Sequence, residues 1–242
     1  QFEDATETTF GNPDLYLSTD YNADIKWEFF PKSNEVISVT AFGKLIQNPI
    51  NEITVASATN DISYVNTGEK AIAIGGEFEI RKNIFEIDSD NKENLTAGFN
   101  ASYMYNNQDF DGQKVTDETN LSVFFSNKEG KLTGASDLLL NSDISYFKEF
   151  SKERNLLATL TYNYFSDSIY ALGTSERGNL VDKAVGTLDF ILRSKITKNI
   201  GLGLTVKNIL DPTIERIQDK QNVLVESYKK GTNFKFSVTY KF

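Results

Sequence analysis

The end of the chain, residues 201–242, contains strands whose side chains alternate strictly between apolar and polar. In the last strand one face carries Phe234, Phe236, Val238, Tyr240 and Phe242, and the residues between them are Lys, Ser and Thr. Side chains in a strand point alternately to opposite faces, so this strand has one apolar and one polar face. The preceding strand, residues 200–207, repeats the alternation. Strands of this kind predict a sheet placed between two media, as in a membrane-spanning β-barrel.

Seven further segments upstream carry the same alternation, which predicts nine strands in total. They cover residues 15–30, 36–47, 72–81, 95–105, 138–146, 156–165, 187–196, 200–207 and 233–242. Residues 108–136 are mostly polar and are predicted as a long loop with room for a short hairpin at residues 121–125. The predicted fold class is therefore all-β, a transmembrane antiparallel up-and-down β-barrel.

The connections between these strands alternate between short and long. Short turns are predicted near residues 31, 87–92, 151–154 and 197, and long connections begin near residues 48, 108, 167 and 211. Outer-membrane barrels have short periplasmic turns and long extracellular loops. The alternation therefore predicts that Phe242 lies on the periplasmic side and that Gln1 lies outside the cell.

The composition excludes several function classes. No run approaches the roughly 18 apolar residues of a transmembrane helix, whereas 18 Phe and 11 Tyr with only 4 Pro favour strands. The net charge of −9 and the lack of a basic cluster give no support to nucleic-acid binding. With no Cys and no His, the chain lacks the usual general base and thiolate ligands, so we expect no enzyme activity, metal site or cofactor.

Several short motifs, in their order and spacing, resemble a known family. They are Gly11-Asn12-Pro13-Asp14-Leu15, Tyr21-Asn22, Trp27-Glu28-Phe29-Phe30-Pro31, Gln47-Asn48-Pro49-Ile50, Val65-Asn66-Thr67-Gly68, Gly76-Glu77-Phe78-Glu79, Leu132-Thr133-Gly134-Ala135-Ser136, Leu140-Asn141-Ser142-Asp143-Ile144-Ser145-Tyr146, Leu204-Thr205-Val206-Lys207-Asn208-Ile209-Leu210-Asp211-Pro212 and Tyr240-Lys241-Phe242. The resemblance is to the C-terminal barrel half of TonB-dependent outer-membrane receptors in the form common in Bacteroidetes-type bacteria.

This resemblance implies a 22-stranded, plugged barrel of which residues 1–242 form the last nine or so strands, with the plug domain and the earlier strands outside this sequence. The implied function is TonB-coupled uptake of a scarce nutrient, such as a siderophore-bound metal, a vitamin, or a glycan or peptide fragment. The implied partners are outer-membrane lipid, the barrel-assembly machinery, the remainder of the barrel and plug, TonB and a surface lipoprotein.

Two alternatives to this function remain open. The chain could be a structural subunit or scaffold of a larger outer-membrane complex, or a small porin or adhesin that closes with its own strands. Nine strands leave two open edges, and unpaired backbone groups in hydrocarbon cost several kcal/mol each. We therefore expect that the gene product begins before Gln1 and that further strands complete the barrel.

Charged residues on the polar parity are the candidate lumen-facing residues. They are Asp24, Lys26, Glu28, Lys44, Glu77, Glu79, Arg81, Asp143, Asp189, Arg193, Lys195 and Lys207. Two interpretations apply to them: they line a solute path or hold a plug, or they are ion-paired residues of an ordinary polar wall. Glu77 and Glu79 resemble a carboxylate pair, but they are i, i+2 neighbours on one polar strand face. A structural role is the simpler interpretation, because a catalytic pair needs a partner geometry that the sequence does not indicate.

Three further features have simpler interpretations. Asp109-Phe110-Asp111-Gly112 is a turn rather than a calcium loop, because a calcium loop needs further oxygen ligands at fixed spacing. The aromatic residues on the apolar parity are expected to form membrane-interface girdles; they are Trp27, Phe29, Tyr103, Tyr105, Tyr146, Tyr162 and Tyr164. The resemblance also implies that Tyr240 and the C-terminal Phe242 form the signal recognised by the barrel-assembly machinery.

Overall fold

The computed structural model describes residues 2–3, 8–55, 61–87 and 92–242. The elements in the first half are β1 (Phe2–Glu3), β2 (Thr8–Phe10), β3 (Thr19–Phe29), β4 (Val36–Gln47), β5 (Ile50–Thr54), β6 (Ile62–Asn66), β7 (Lys70–Ile87), β8 (Glu93–Asp109), α1 (Gly112–Glu118) and β9 (Glu129–Gly130). Those in the second half are β10 (Leu138–Ser151), β11 (Arg154–Phe165), β12 (Ser168–Ala171), β13 (Leu180–Asp182), β14 (Val185–Lys195), β15 (Ile200–Lys207), β16 (Ile214–Gln218), β17 (Val223–Tyr228) and β18 (Asn233–Tyr240).

Nine strands form one continuous sheet, which we call the wall. Its order is β3-β4-β7-β8-β10-β11-β14-β15-β18, and every neighbouring pair is antiparallel. The short strand β9 is attached beside the end of β8. Each wall strand is followed in space by the next wall strand of the sequence, so the topology is up-and-down. The predicted β-barrel wall and its nine strands are confirmed, and β4 has the predicted bounds.

The register gives the wall one apolar and one polar face. Directly opposed residues of an antiparallel pair lie on the same side of the sheet. Leu160 lies between Ile144 and Phe190, and Leu204 lies opposite Phe236. This apolar face is uncovered: Ile25 is 79% exposed and Tyr103 is 60% exposed. A contiguous apolar surface of this extent is the surface that a barrel presents to lipid.

The connections at the two ends of the wall differ. At one end, called the turn end, β3 joins β4 through residues 30–35, β10 joins β11 through residues 152–153, and β14 joins β15 through residues 196–199. The predicted turn at residues 87–92 lies mostly outside the described residues. At the other end, called the loop end, the connections carry their own secondary structure. Among the described residues, no helix combines the length and the apolar character needed to cross a membrane.

The loop-end connections and the segment before β3 form two small sheets, which together with α1 we call the cap. One sheet has the order β1-β2-β6-β5 and the other has the order β12-β13-β16-β17. Most of the buried hydrophobic residues in the described part of the chain lie here, in two clusters, each of which connects the first sheet to β12 or to the residue that follows it. The first cluster is Ile53, Val65, Val115, Val123 and Leu172, and the second is Ile62, Ala171 and Leu180.

The structure corrects the predictions for the connections. The first wall strand begins at Thr19, so Leu15 and Leu17 precede it, and Leu17 is 86% exposed. Residues 121–125 form no hairpin; the 108–136 segment instead contains α1 and β9. The connections predicted as polar loops contain the strands of the cap. These segments are ordered by contacts between distant parts of the chain, which local alternation does not report.

Candidate functional site

The polar face of the wall brings together all of the predicted lumen-facing residues. Cross-strand rows show this directly: one row runs through Glu28, Ser38, Glu79, Asn100 and Asn141. A parallel row runs through Arg81, Gly98, Asp143, Thr161 and Asp189. The same parity holds for the remaining candidates, which are Asp24, Lys26, Lys44, Glu77, Arg193, Lys195 and Lys207. The twelve residues therefore share one face of the sheet.

Hydrogen bonds and ion pairs connect only part of this face. Lys26 Nζ lies 2.8 Å from Glu28 Oε1, and Lys44 Nζ lies 3.2 Å from Asp20 Oδ2. Asn141 Nδ2 donates to Asn100 Oδ1 at 2.7 Å. These contacts fit the interpretation of an ion-paired, hydrogen-bonded wall for the strands β3 to β10.

The carboxylates of the predicted turn at residues 109–112 are engaged by backbone groups. Asp109 accepts hydrogen bonds from the backbone N–H groups of Glu69 and Lys70, at 3.0 and 2.8 Å. Asp111 is the N-cap of α1 and accepts from the Lys114 N–H at 2.9 Å. Within the described ranges, no group of three or more His, Cys, Asp or Glu side chains is arranged to hold a metal ion. These carboxylates thus organise the chain locally.

The side of the wall on which the cap lies follows from burial at the end of β7. Ala71 and Ala73, which share the polar face, are 1% and 4% exposed. Their neighbours on the apolar face, Ile72 and Ile74, are 41% and 54% exposed. The cap therefore covers the polar face at the loop end and leaves the apolar face open.

A buried polar network fastens the cap to the wall. Gln108 of β8 accepts hydrogen bonds from Asn51 Nδ2 at 2.8 Å and from Thr67 Oγ1 at 2.9 Å, and it donates to the Lys131 carbonyl at 2.8 Å. Thr133 N donates to Asn51 Oδ1 at 3.0 Å. Sequence reasoning missed these residues, because they are isolated polar residues in four separate segments. Buried polar groups of this kind hold a structure only when they are mutually satisfied.

We expect Gln108→Leu to loosen the cap. The substitution removes four hydrogen bonds from this network, and each buried polar group left unsatisfied costs about 1–3 kcal/mol. Hydrogen exchange of the full-length protein in detergent should show faster exchange of β5 and β6 amides. Asn107→Leu is the matched control, because Asn107 lies on the other face of β8 and, among the described residues, its side chain donates to the exposed Glu129 alone. Equal effects of the two substitutions would contradict the network's role.

A second set of hydrogen bonds, the latch, joins the two sheets of the cap to each other. Thr54 N donates to the Leu172 carbonyl at 2.9 Å, and Leu172 N donates to the Glu52 carbonyl at 2.8 Å. Thr174 Oγ1 donates to the Thr54 carbonyl at 2.6 Å. Ile53 and Leu172 form a bridge here and are both in the first hydrophobic cluster. The first and third long connections are therefore one interlocked structure.

Helix α1 is tied to the segment that enters the wall. The Tyr16 hydroxyl donates to Glu118 at 3.1 Å, and Lys114 Nζ lies 5.7 Å from the centroid of the Tyr16 ring. Partial burial lowers the pKa of the Lys114 ammonium, but interactions with Tyr16, Glu118 and Glu69 outweigh burial and raise the pKa above its ordinary value. Lys114 is therefore a stable cation at neutral pH.

A cleft of ≈ 350 Å³ opens between the connections of the cap. Its lining combines the rings of Phe110 and Phe125, whose centroids are 5.0 Å apart, with a larger number of polar and charged residues, among them Asn179 and Asp219. The aromatic rings offer apolar contacts to a ligand, and the polar groups offer hydrogen bonds that would orient it. The cleft is the candidate ligand site at the loop end.

The aromatic residues of the apolar face form two bands. Tyr103, Tyr105, Tyr162 and Tyr164 lie toward the loop end, whereas Trp27, Phe29, Tyr146 and Tyr240 lie toward the turn end. This is the arrangement expected of membrane-interface girdles. Phe242 follows β18 at the turn end, and its ring packs edge-on against Tyr240 with centroids 5.1 Å apart.

Comparisons with known proteins identify a family of similar sequence and similar structures. A family model described as TonB dependent receptor-like, beta-barrel, matches residues 2–209. The chain is also similar to the FrpB iron transporter from Neisseria meningitidis, with 16% identity and a TM-score of 0.56 over 93% of this chain and 30% of that one. A mutant of the ferric enterobactin receptor PfeA from Pseudomonas aeruginosa gives 17% identity and a TM-score of 0.55 over 93% and 31% of the two chains. This chain thus spans about a third of these structures. The comparison with curated proteins found no match.

Proposed function

Because this chain belongs to the family of TonB-dependent-receptor-like β-barrels, we propose that it forms part of the wall of a receptor for TonB-coupled uptake of a scarce nutrient. The family is one of outer-membrane receptors and transporters rather than enzymes. The observation that carries the proposal is the wall itself: nine antiparallel strands with an uncovered apolar face and a polar face that is covered at one end.

The substrate class to test first is a ferric siderophore. The two similar structures are named as an iron transporter and as a ferric enterobactin receptor. The cleft of the cap supports capture at the loop end, because its lining combines aromatic rings with polar and charged groups. Vitamins and glycan or peptide fragments are the other nutrients in the proposal.

In this proposal the polar face lines the lumen, the loop end is extracellular and the turn end is periplasmic. Among the described residues, β3 and β18 each pair with a wall strand on one side only. We propose that further strands of the same barrel pair with these edges, since unpaired backbone groups are not tolerated in hydrocarbon. A plug, TonB, a surface lipoprotein and the barrel-assembly machinery, acting on Tyr240 and Phe242, complete the proposed set of partners.

A second candidate function is a structural subunit of an outer-membrane complex that transports nothing. The interlocked cap favours it, because the latch and the shared hydrophobic clusters hold the loop-end connections together over the polar face. A receptor has to admit its ligand past this cap, whereas a scaffold does not.

Uptake measurements separate the two candidates. We expect deletion of the complete gene to abolish accumulation of the radiolabelled nutrient. Complementation should restore the accumulation, and depletion of TonB should abolish it again. A ferric siderophore is the first probe, followed by vitamin and glycan panels. Normal uptake of the whole panel in the deletion strain, combined with loss of an outer-membrane complex, supports the scaffold and contradicts transport.

The proposed orientation makes a separate prediction about labelling. The chain has no native Cys, so single cysteines within it report their own side of the membrane. Val223→Cys in the cap, where Val223 is 52% exposed, should react with a membrane-impermeant maleimide on intact cells. Glu153→Cys, in the turn between β10 and β11, should react only after the outer membrane is permeabilised. The reverse pattern would show that the wall is oriented the other way.

A further inference from the structure

Charge is distributed unevenly over the polar face. On strands β3 to β10 the carboxylates of Asp20, Asp24, Glu28, Glu77, Glu79, Asp143 and Glu149 face the cations of Lys26, Lys44 and Arg81. On β14, β15 and β18 the polar face carries one carboxylate, Asp189, and the cations of Arg193, Lys195, Lys207 and Lys235. No ion pair joins these four cations to any other described residue. Within the described residues, the polar face of the last three strands thus carries four cations and one carboxylate, which is an excess of positive charge.

Two of these cations border a recess, which we call the basic hollow and which consists of Arg193, Lys195, Gly201, Gly203, Ser237 and Thr239. The register repeats one arrangement twice: Arg193, Gly203 and Ser237 form one row, and Lys195, Gly201 and Thr239 form the next. Each row therefore has a cation, a gap without a side chain, and a hydroxyl group. A Cβ atom on Gly203 would lie 2.5 Å from Ser237 Oγ, so this glycine keeps the floor of the hollow clear. The hollow has a volume of ≈ 440 Å³.

The chemistry of the hollow suits paired carboxylates. Arginine and lysine donate charge-assisted hydrogen bonds to carboxylates, and the two hydroxyls add donors on the opposite side. The two cations are alternate residues of one strand and are therefore about 7 Å apart along it. Alternate side chains of any extended polypeptide have the same spacing, so acidic residues at every second position match the two cations.

The apolar residues beside the hollow favour a polypeptide over a small anion. Phe147 and Leu157 continue the row of Arg193 across β10 and β11, and both line the recess. They lie on the polar face, where a small hydrophilic anion would leave them uncovered. A polypeptide segment can cover them with its own apolar side chains while its carboxylates meet the cations.

We propose that the basic hollow binds an extended polypeptide segment with Asp or Glu at alternate positions. This inference rests on the proposed function, because it requires that the polar face line a lumen large enough to hold protein. The partner is defined by its alternating acidic residues, and crosslinking identifies the segment that carries them.

Site-specific photo-crosslinking of the full-length protein in native membranes tests the proposal. Asn155 lines the recess beside Lys195 but is not one of the proposed donors, so it is replaced by p-benzoylphenylalanine, and Asn163, on the same face of β11 but outside the recess, is the control position. We expect a crosslink from position 155 to a peptide with alternating acidic residues. In an R193Q/K195Q background its yield should fall about tenfold or more, since two charge-assisted bonds are lost. The matched K207Q/K235Q background, which removes the same charge from the same face, should retain the yield.

Each other outcome overturns the inference. These outcomes are no protein crosslinked from position 155, a crosslinked segment without alternating acids, a crosslink to a second copy of this chain, and equal yields in the two backgrounds. Migration of the unheated protein in gels verifies that every variant is folded. A crosslink to lipid would instead show that this face contacts the membrane, which contradicts the proposed function. Absence of both lipid and protein crosslinks contradicts only the binding of a polypeptide in the hollow.

Discussion

Replacing Leu160 with Arg is expected to destabilise the folded protein in a bilayer by about 2–4 kcal/mol. Leu160 lies in the middle of β11 on the apolar face, between Ile144 and Phe190, and is 41% exposed. In a membrane, the guanidinium would therefore be placed among lipid chains, between the two aromatic bands. Urea titration of the protein refolded into lipid vesicles measures the change in the free energy of unfolding.

The control for this substitution is the adjacent position on the other face. Thr161 lies between Asp143 and Asp189 on the polar face, so Thr161→Arg places the same charge next to two carboxylates. We expect a change within about 1 kcal/mol, as is usual for exposed ion pairs. A large loss for Thr161→Arg together with none for Leu160→Arg would show that the two faces are inverted, and the lumen assignment would then be wrong.

The sequence was sufficient to predict the wall because each wall strand by itself alternates between apolar residues on one face and polar residues on the other. Alternation with period two is local, so β4 and β18 can be recognised without knowing their neighbours. Once the strands are known, the alternation of short and long connections defines an up-and-down order, and the charged residues fall on one face as expected. The functional role of that face stays a prediction, since parity shows which residues share a side and not what occupies it.

The cap could not be predicted in the same way. Its strands are short, and their burial depends on partners far along the chain, such as Ile53 with Leu172 and Thr54 with Thr174. In β5 the buried residues include Asn51 and Thr54, so the segment is polar and resembles a loop. Helix α1 has a single buried residue, Val115, and therefore no helical periodicity to detect. Only tertiary contacts distinguish these segments from ordinary loops.

Among substitutions in the cap, we expect the largest loss of stability from one in the shared hydrophobic cluster. Leu172 is 2% exposed and lies in the cluster that joins the two cap sheets. Leu172→Ala removes buried methyl groups and leaves a cavity, which costs about 2–5 kcal/mol in well-packed cores. Because the cluster spans both sheets, we expect the amides of β5, β6, β12 and β13 to exchange faster together, while the amides of the wall are unchanged.

Leu224→Ala is the matched control, because Leu224 lies in β17, in the sheet of β12, which Leu172 directly follows, but is 54% exposed. Its effect on exchange should be small. If Leu172→Ala accelerates only the β12 and β13 amides, the two sheets open independently and the cap is not a single unit. If both sheets open together, the latch and the cluster make the cap one cooperative unit. A receptor of the proposed kind would then have to move the cap as a whole or admit its ligand through the existing cleft.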